Sequence, residues 1–289
     1  MQGNSEEDEA NWVGYLGWQS GDPVEPSGYW RGARDRVLER AEIRAGDRVL
    51  DVGSGMGLLA FGAADRVRPS GLVIACDADW GVLELCREAA RNASRPFRQV
   101  RPVRGDAYSL PLLSESVDVA VARGLLVHVV DKRRVLGEVF RVLKRGGRFV
   151  CHEPMARREK RLSELVDLRG LGGLGEDCVT AERAMWDDPQ DSELNYDECT
   201  VAEELEEFGF VDVRAKLERL KKERHASEEY LHDLWYRQWV PGMKSMYERL
   251  MKHLDAERLD RCVEFINGQL RGREFVQELV AGVISGVRV

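Results

Sequence analysis

The stretch Val49-Leu50-Asp51-Val52-Gly53-Ser54-Gly55-Met56-Gly57 decides how the rest of this 289-residue chain is read. A short apolar run delivers an acidic residue and then glycines at alternate positions, and a helical pattern covers Leu58–Val67. Strand, glycine turn and helix in this order aim backbone amides at a ligand beside the helix start. Glycine admits backbone where a Cβ would obstruct close approach. A dinucleotide loop wants G-x-G-x-x-G, whereas here the glycines fall at 53, 55 and 57 and Leu58 takes the next key position.

Outward from the loop, strand and helix alternate. The pattern predicts a helix over Tyr29–Ile43, strands at Leu72–Cys76, Val100–Val103 and Val117–Ala122, and a helix at Trp80–Ala90. Asp131 is placed to cap a helix running to about Leu143, and Gly146-Gly147 turns the chain into strand Phe149–Cys151. Strands separated by helices of this length imply right-handed crossovers and a parallel sheet. The alternation stops at Pro154. Thr200 and Glu203 read as a capping box for a helix through Phe208, followed by strand Val211–Leu217. Residues 226–270 read as helices broken at Pro241, and Phe275–Val289 alternates as a final strand.

The expected organisation is a flexible, aromatic-bearing segment at 1–27, a core at 28–154, an insertion at 155–199, core again at 200–220, a helical lid at 221–272 and a last core strand at 273–289. Hydrophobic residues make up 43% and charged residues 33%, and no apolar run approaches the roughly 20 residues of a membrane span. The acidic N-terminus MQGNSEEDEANW argues against a secretion signal and for a cytoplasmic protein. A formal net charge of −8 argues against an extended phosphate-binding face, although Lys221, Lys222 and Arg224 form a local basic patch. The six cysteines stand singly with no CxxC pair, so they read as reduced, buried thiols with no metal among them.

Two further carboxylates strengthen the reading of the loop. Asp77, with Ala78 beside it, ends the strand after the glycine loop, where a carboxylate can accept both hydroxyls of a ribose. Gly105-Asp106-Ala107 ends the third strand, where an aspartate can accept from an adenine amine. Three such motifs at the carboxyl ends of three successive strands define one crevice. VLDVGSGMG, Asp77, GDA and VDVAVARGLLVHVVDKRRVLGEVFRVLKRGGRFV together resemble class I S-adenosylmethionine-dependent methyltransferases, nearest the quinone-biosynthesis and small-molecule subgroup.

The resemblance covers about residues 35–154. It implies a three-layer, doubly wound α/β fold whose seven-stranded sheet is mostly parallel with the last strand antiparallel. It also implies S-adenosyl-L-methionine as cofactor: Gly53, Ser54, Gly55 and Gly57 hold its methionine part, Asp51 its ammonium, Asp77 its ribose, and Asp106 with Ala107 its adenine. Arg123 and Gly124 match the segment flanking the sulfonium.

Methyl transfer needs mainly alignment, with a base only for a protonated acceptor. His128 is the candidate base, a structural histidine being the alternative. Glu153 is a candidate for binding an acceptor amine. Tyr15, Trp18, Trp235, Tyr236 and Trp239 are candidate acceptor contacts, although such stripes also read as core. The expected partner is a small-molecule acceptor, with no nucleic acid, and a homodimer is left open. Methylation of protein or RNA, and cofactor binding without methyl transfer, are the alternative functions. Arsenite methylation would need thiolates such as Cys151, Cys178 and Cys199 to converge, which their spacing hardly supports.

Overall fold

The computed structural model describes residues 22–26, 28–94, 97–238 and 242–289, so Tyr15, Trp18, Trp239 and Pro241 lie outside the described residues. In chain order its main elements are α1 (Gly28–Ala41), β1 (Arg48–Val52), α2 (Leu58–Val67), β2 (Leu72–Asp77), α3 (Trp80–Asn92) and β3 (Val100–Arg104). Then come β4 (Val117–Arg123), α4 (Lys132–Val142), β5 (Leu143–Pro154), α5 (Gly173–Trp186), α6 (Glu198–Phe208) and β6 (Phe210–His225). Last are α7 (Glu228–Tyr236), α8 (Met246–Leu250), α9 (Ala256–Leu270) and β7 (Glu274–Arg288). Among the described residues no helix is long and apolar enough to cross a membrane.

The chain divides into two compact units, one of Met1–Pro154, Glu198–Glu218 and Ala281–Val289, the other of Met155–Asp197 and Arg219–Val280. The seven strands lie in the order β3-β2-β1-β4-β5-β7-β6. β1 pairs in parallel with β2 and β4, β2 with β3, and β4 with β5, while β7 runs antiparallel to β5. This is the expected sheet. Its order reverses between β1 and β4, which opens a crevice at their carboxyl ends.

Alternation puts Val49, Val73, Val121 and Val150 in one core with Leu38 of α1 and Leu59 and Phe61 of α2. Leu50, Ala120 and Phe149, on the opposite face, are as fully buried. Strands covered on both faces explain the apolar runs that the sequence carries here. Asp131 caps α4 by accepting the Arg134 amide at 3.0 Å, as its position predicts. Gly147 is obligatory in the following turn, since a Cβ would meet the Lys144 and Asp118 carbonyls at 2.8 and 3.0 Å.

Three expectations need correction. Helix α6 starts at Glu198, so Thr200 lies within its first turn and is not the cap; the helix begins where the chain enters the first unit. Strand β6 runs to His225, far past Leu217, because its distal part belongs to the second unit, where Ala226 N donates to Arg273 O at 2.9 Å and Arg219 pairs with Glu278 at 2.7 Å. Not all cysteines are free, buried thiols: Cys178 of α5 is bonded to Cys262 of α9, and Cys199 is exposed. The bonded pair is 84 residues apart, a separation that only the packing of the two helices closes.

The second unit has its own core. Leu162, Ala181, Met185 and Trp186 from the segment after Pro154 pack with Leu231, Trp235, Leu259 and Ile266 from the segment after β6. Arg249, buried there, is neutralised by Asp191 at 2.8 Å and Glu193 at 2.6 Å.

Candidate functional site

The crevice is built from the ends of the strands. Beyond Val52 the chain turns through Gly53, Gly55 and Gly57 at φ +67°, +53° and +99°, all left-handed. Gly53 N and Ser54 N donate to Cys76 O at 2.8 and 3.0 Å, stitching the loop to the end of β2. Helix α2 then starts at Leu58, with Gly57 at the cap position and no side-chain cap bond. The sequence reading reserved these glycines for ligand approach, but protein neighbours demand two of them as well. A Cβ on Gly53 would lie 2.9 Å from Leu125 Cδ1, and one on Gly57 2.7 Å from Phe61 Cε2 and 2.9 Å from Cys86 Sγ.

Carboxylates converge on this loop. Asp77 Oδ2 accepts the Gly55 amide at 2.8 Å, and its Oδ1 accepts the Asp79 amide at 3.0 Å. Burial raises the pKa of Asp77 in spite of these bonds. Asp51 is 1% exposed and accepts the Ala60 amide, yet its Oδ2 has no partner. Burial, with a smaller push from the Asp77 charge, raises its pKa to about 8. Ser54 Oγ and Asp79 Oδ2 are likewise buried without a partner. Asp79 was not singled out in the sequence; its Oδ1 caps α3 through the Val82 amide at 2.9 Å, which the D-x-D spacing after β2 signals. Asp106 is exposed and accepts the Tyr108 amide at 2.8 Å, Ala107 is half-buried and Ala78 exposed.

At the ends of β4 and β5 a second cluster forms. Arg123 pairs in register with His152, and Gly124 N donates to His152 O at 3.0 Å. Glu153 is wholly buried and accepts the Leu125 and Leu126 amides at 2.9 and 3.0 Å. Burial raises its pKa to about 7 against those amides and Arg123. Both its oxygens thus hold the loop after β4. His128 ends a 3-10 turn, Leu126–His128. The residue is exposed, but protein crowds its imidazole, and that desolvation, followed by the Lys132 charge, lowers its pKa to about 4. It is therefore neutral at neutral pH.

Comparison with known proteins bears on the central part of the first unit. Residues 50–151 match the family described as "Methyltransferase domain". Residues 50–151 thus form a methyltransferase domain of this family. The chain is 34% identical over 131 residues to a demethylmenaquinone methyltransferase of Symbiobacterium thermophilum, covering 45% of this chain and 51% of that protein. It is 32% identical over 154 residues to the uncharacterized methyltransferase YcgJ of Bacillus subtilis, covering 52% and 59%. The chain thus spans about half the length of the curated relatives it matches. In fold it is similar to the crystal structure of YcgJ, with TM-score 0.56, 20% identity, and 89% and 98% of the two chains covered. It is also similar in fold to a Haemonchus contortus phosphoethanolamine N-methyltransferase 2, solved with S-adenosylhomocysteine, with TM-score 0.56, 16% identity, and 97% and 58% covered.

Within the first unit Gly53 and Ser54 are bonded to the end of β2 and Gly55 to Asp77, Asp51 and Gly57 stand on the same β1 end and loop, and Arg123 and Gly124 lie beside His152. Trp235 and Tyr236 belong to the other unit. Trp235 is 1% exposed and donates from Nε1 to Asn267 Oδ1 at 2.8 Å, so it is a core residue and not an acceptor contact. Tyr236 is exposed, its ring 5.0 Å from that of Tyr247. The first unit also holds residues that sequence reasoning passed over. Tyr29 and Trp30 of α1 lie against Arg123, and their only sequence signal is an aromatic pair where α1 begins.

Proposed function

We propose that this protein transfers the methyl group of S-adenosyl-L-methionine to a small-molecule acceptor. The observation that carries the reading is the set of buried, unpartnered acceptors Asp51 Oδ2, Ser54 Oγ and Asp79 Oδ2 around a left-handed glycine turn. Buried acceptors without donors are costly, about 1–3 kcal/mol each. A ligand bearing an ammonium and hydroxyls supplies the missing donors, so the residues fit this cofactor. In the proposed roles Asp51 holds the ammonium, and Gly53, Ser54, Gly55 and Gly57 shape the bed for the methionine part. Asp77, whose carboxylate already accepts backbone amides of the loop, keeps remaining acceptor capacity for the ribose. Asp106 and Ala107 edge the adenine, with Ala78 adjoining. Arg123 and Gly124 border the reacting sulfur.

Bound there, the cofactor supplies a methyl group already activated by its positively charged sulfur. The protein's task is then alignment of the acceptor and exclusion of water. In this reading His128, neutral at working pH, takes a proton where the acceptor carries one. Its substitution by alanine is expected to lower kcat roughly 100-fold while leaving cofactor affinity in place. Because its pKa is about 4, the histidine-dependent part of kcat stays level from pH 8 to pH 5 and falls only near pH 4. A His128→Ala variant with near-normal kcat shows that alignment alone suffices.

A test free of turnover follows from Asp51. With a pKa of about 8 it is protonated at neutral pH in the ligand-free protein, and a cationic ligand needs it ionised. Affinity for S-adenosylhomocysteine is therefore expected to rise with pH between 6 and 8, by up to about 10-fold per unit, with release of a proton on binding. Calorimetry across that range, in two buffers of different ionisation enthalpy, reads both. Asp51→Asn should bind more weakly and flatten the profile. A pH-independent Kd in the unaltered protein places the ammonium elsewhere.

A further inference from the structure

Arg123 occupies an unusual setting. Its guanidinium carbon lies 4.0 Å from the centre of the Trp30 ring and 5.7 Å from that of Tyr29. The Tyr29 ring meets the Trp30 ring edge-on at 5.5 Å and the His152 ring at 6.3 Å. Among the described residues Arg123 makes no ion pair, and its Nε is buried without a hydrogen-bond partner. His152, next to it in register, is 1% exposed, and its Nε2 also lacks a hydrogen bond, with Glu218 Oε2 3.9 Å away. Burial, and then the charges of Arg123 and Arg36, keep His152 neutral.

The other charges around the pair are already occupied. Glu218 pairs with Arg36 at 2.5 Å, and Glu153 spends its oxygens on the Leu125 and Leu126 amides. A guanidinium stacked on an indole still offers the N–H groups of its edge, in a planar fork matched to two oxygens. Such an edge, left with a buried N–H unpaired, lacks an oxygen acceptor. A positive group bordering a sulfonium is also electrostatically unfavourable unless negative charge lies close by. One ligand group answers both conditions, and the flat rings of Tyr29 and Trp30 suit a flat body attached to it.

We propose that Arg123, together with His152, Tyr29 and Trp30, forms the acceptor subsite for an oxygen anion, a carboxylate or phenolate borne on a planar ring. This assignment rests on the methyltransferase reading above and narrows its acceptor class. Arg123 binds the anion, the neutral His152 completes its polar surround, and Tyr29 and Trp30 hold the ring and keep the guanidinium edge in place.

The test measures binding of 2-naphthoate and of its neutral counterpart 2-naphthamide to the full chain saturated with S-adenosylhomocysteine. The expected result is a preference of about 10-fold or more for the anion, as for one charge-assisted hydrogen bond. Arg123→Met should abolish that preference, and Arg123→Lys should keep part of it, since charge survives while the planar fork is lost. Thermal melting checks that each variant is folded. Should Arg123→Met not fold, the comparison of the two probes on the unaltered protein and on Arg123→Lys still decides. Equal affinities for the two probes, no binding of either, or a full preference persisting in Arg123→Met overturns the subsite. Failure of S-adenosylhomocysteine itself to bind overturns the methyltransferase reading and the subsite with it, whereas its binding alongside equal probe affinities overturns the subsite alone.

Discussion

Asp77→Ala is expected to raise the Kd for S-adenosylhomocysteine by roughly 100-fold or more. Two losses combine. The variant removes a charged acceptor proposed for two ribose hydroxyls, and a hydrogen bond to a charged group contributes about 1.5–3 kcal/mol. It also frees the Gly55 and Asp79 amides, now held at 2.8 and 3.0 Å by the same carboxylate, so the glycine loop loses its tie to the start of α3. Asp77→Asn keeps the shape and one acceptor oxygen, and its loss should be nearer 10-fold. Isothermal calorimetry on both variants measures the effect, with circular dichroism to confirm folding. A folded alanine variant with an unaltered Kd would mean that the ribose is bound by other residues.

Trp235→Ala is expected to destabilise the second unit by about 3–5 kcal/mol, the cost of deleting a large aromatic side chain from a packed core. Trp235 is the largest fully buried side chain in that core, and its loss also leaves Asn267 Oδ1 without its donor. Trp235→Phe retains most of the volume and should cost less than half as much. Urea unfolding followed by near-ultraviolet dichroism reads the difference, and the unit's transition should move without a matching shift in the first unit. An alanine variant as stable as the parent would contradict the packing described.

The first unit was legible because its signals are local. A strand of Val49, Leu50 and Val52 that carries Asp51 must be covered on both faces, and three glycines in five residues can only be a turn. Asp77 follows at the end of the next strand, and Asp131 sits one residue before its helix. The alternation of strand and helix sets the parallel crossovers, and with them the crevice at the reversal between β1 and β4. What escaped was the detail of use. Glu153 looked available for a ligand because a sequence does not show the Leu125 and Leu126 amides folding back onto it. Asp79 was passed over because burial of its second oxygen depends on the loop beside it.

Local patterns therefore determined the strands, the helices and the carboxylates at strand ends, since each depends on neighbours a few residues away, while the seven-stranded sheet with its antiparallel last strand followed from the family resemblance. Tertiary structure decided everything that joins distant segments. Residues after Pro154 and residues after β6 are separated by an α-helix and a strand, yet they make one core, because neither segment has enough apolar surface to bury by itself. That core turned Trp235 from a candidate ligand contact into a packed interior residue and joined Cys178 to Cys262 across 84 positions. The same holds for Arg123. Its place at the end of β4 could be read from the sequence, but its stacking on Trp30 requires α1, some ninety residues earlier, to lie across the sheet. Contacts of that kind depend on which faces are left to bury once the strands have paired, and a pattern of residue types does not contain that information.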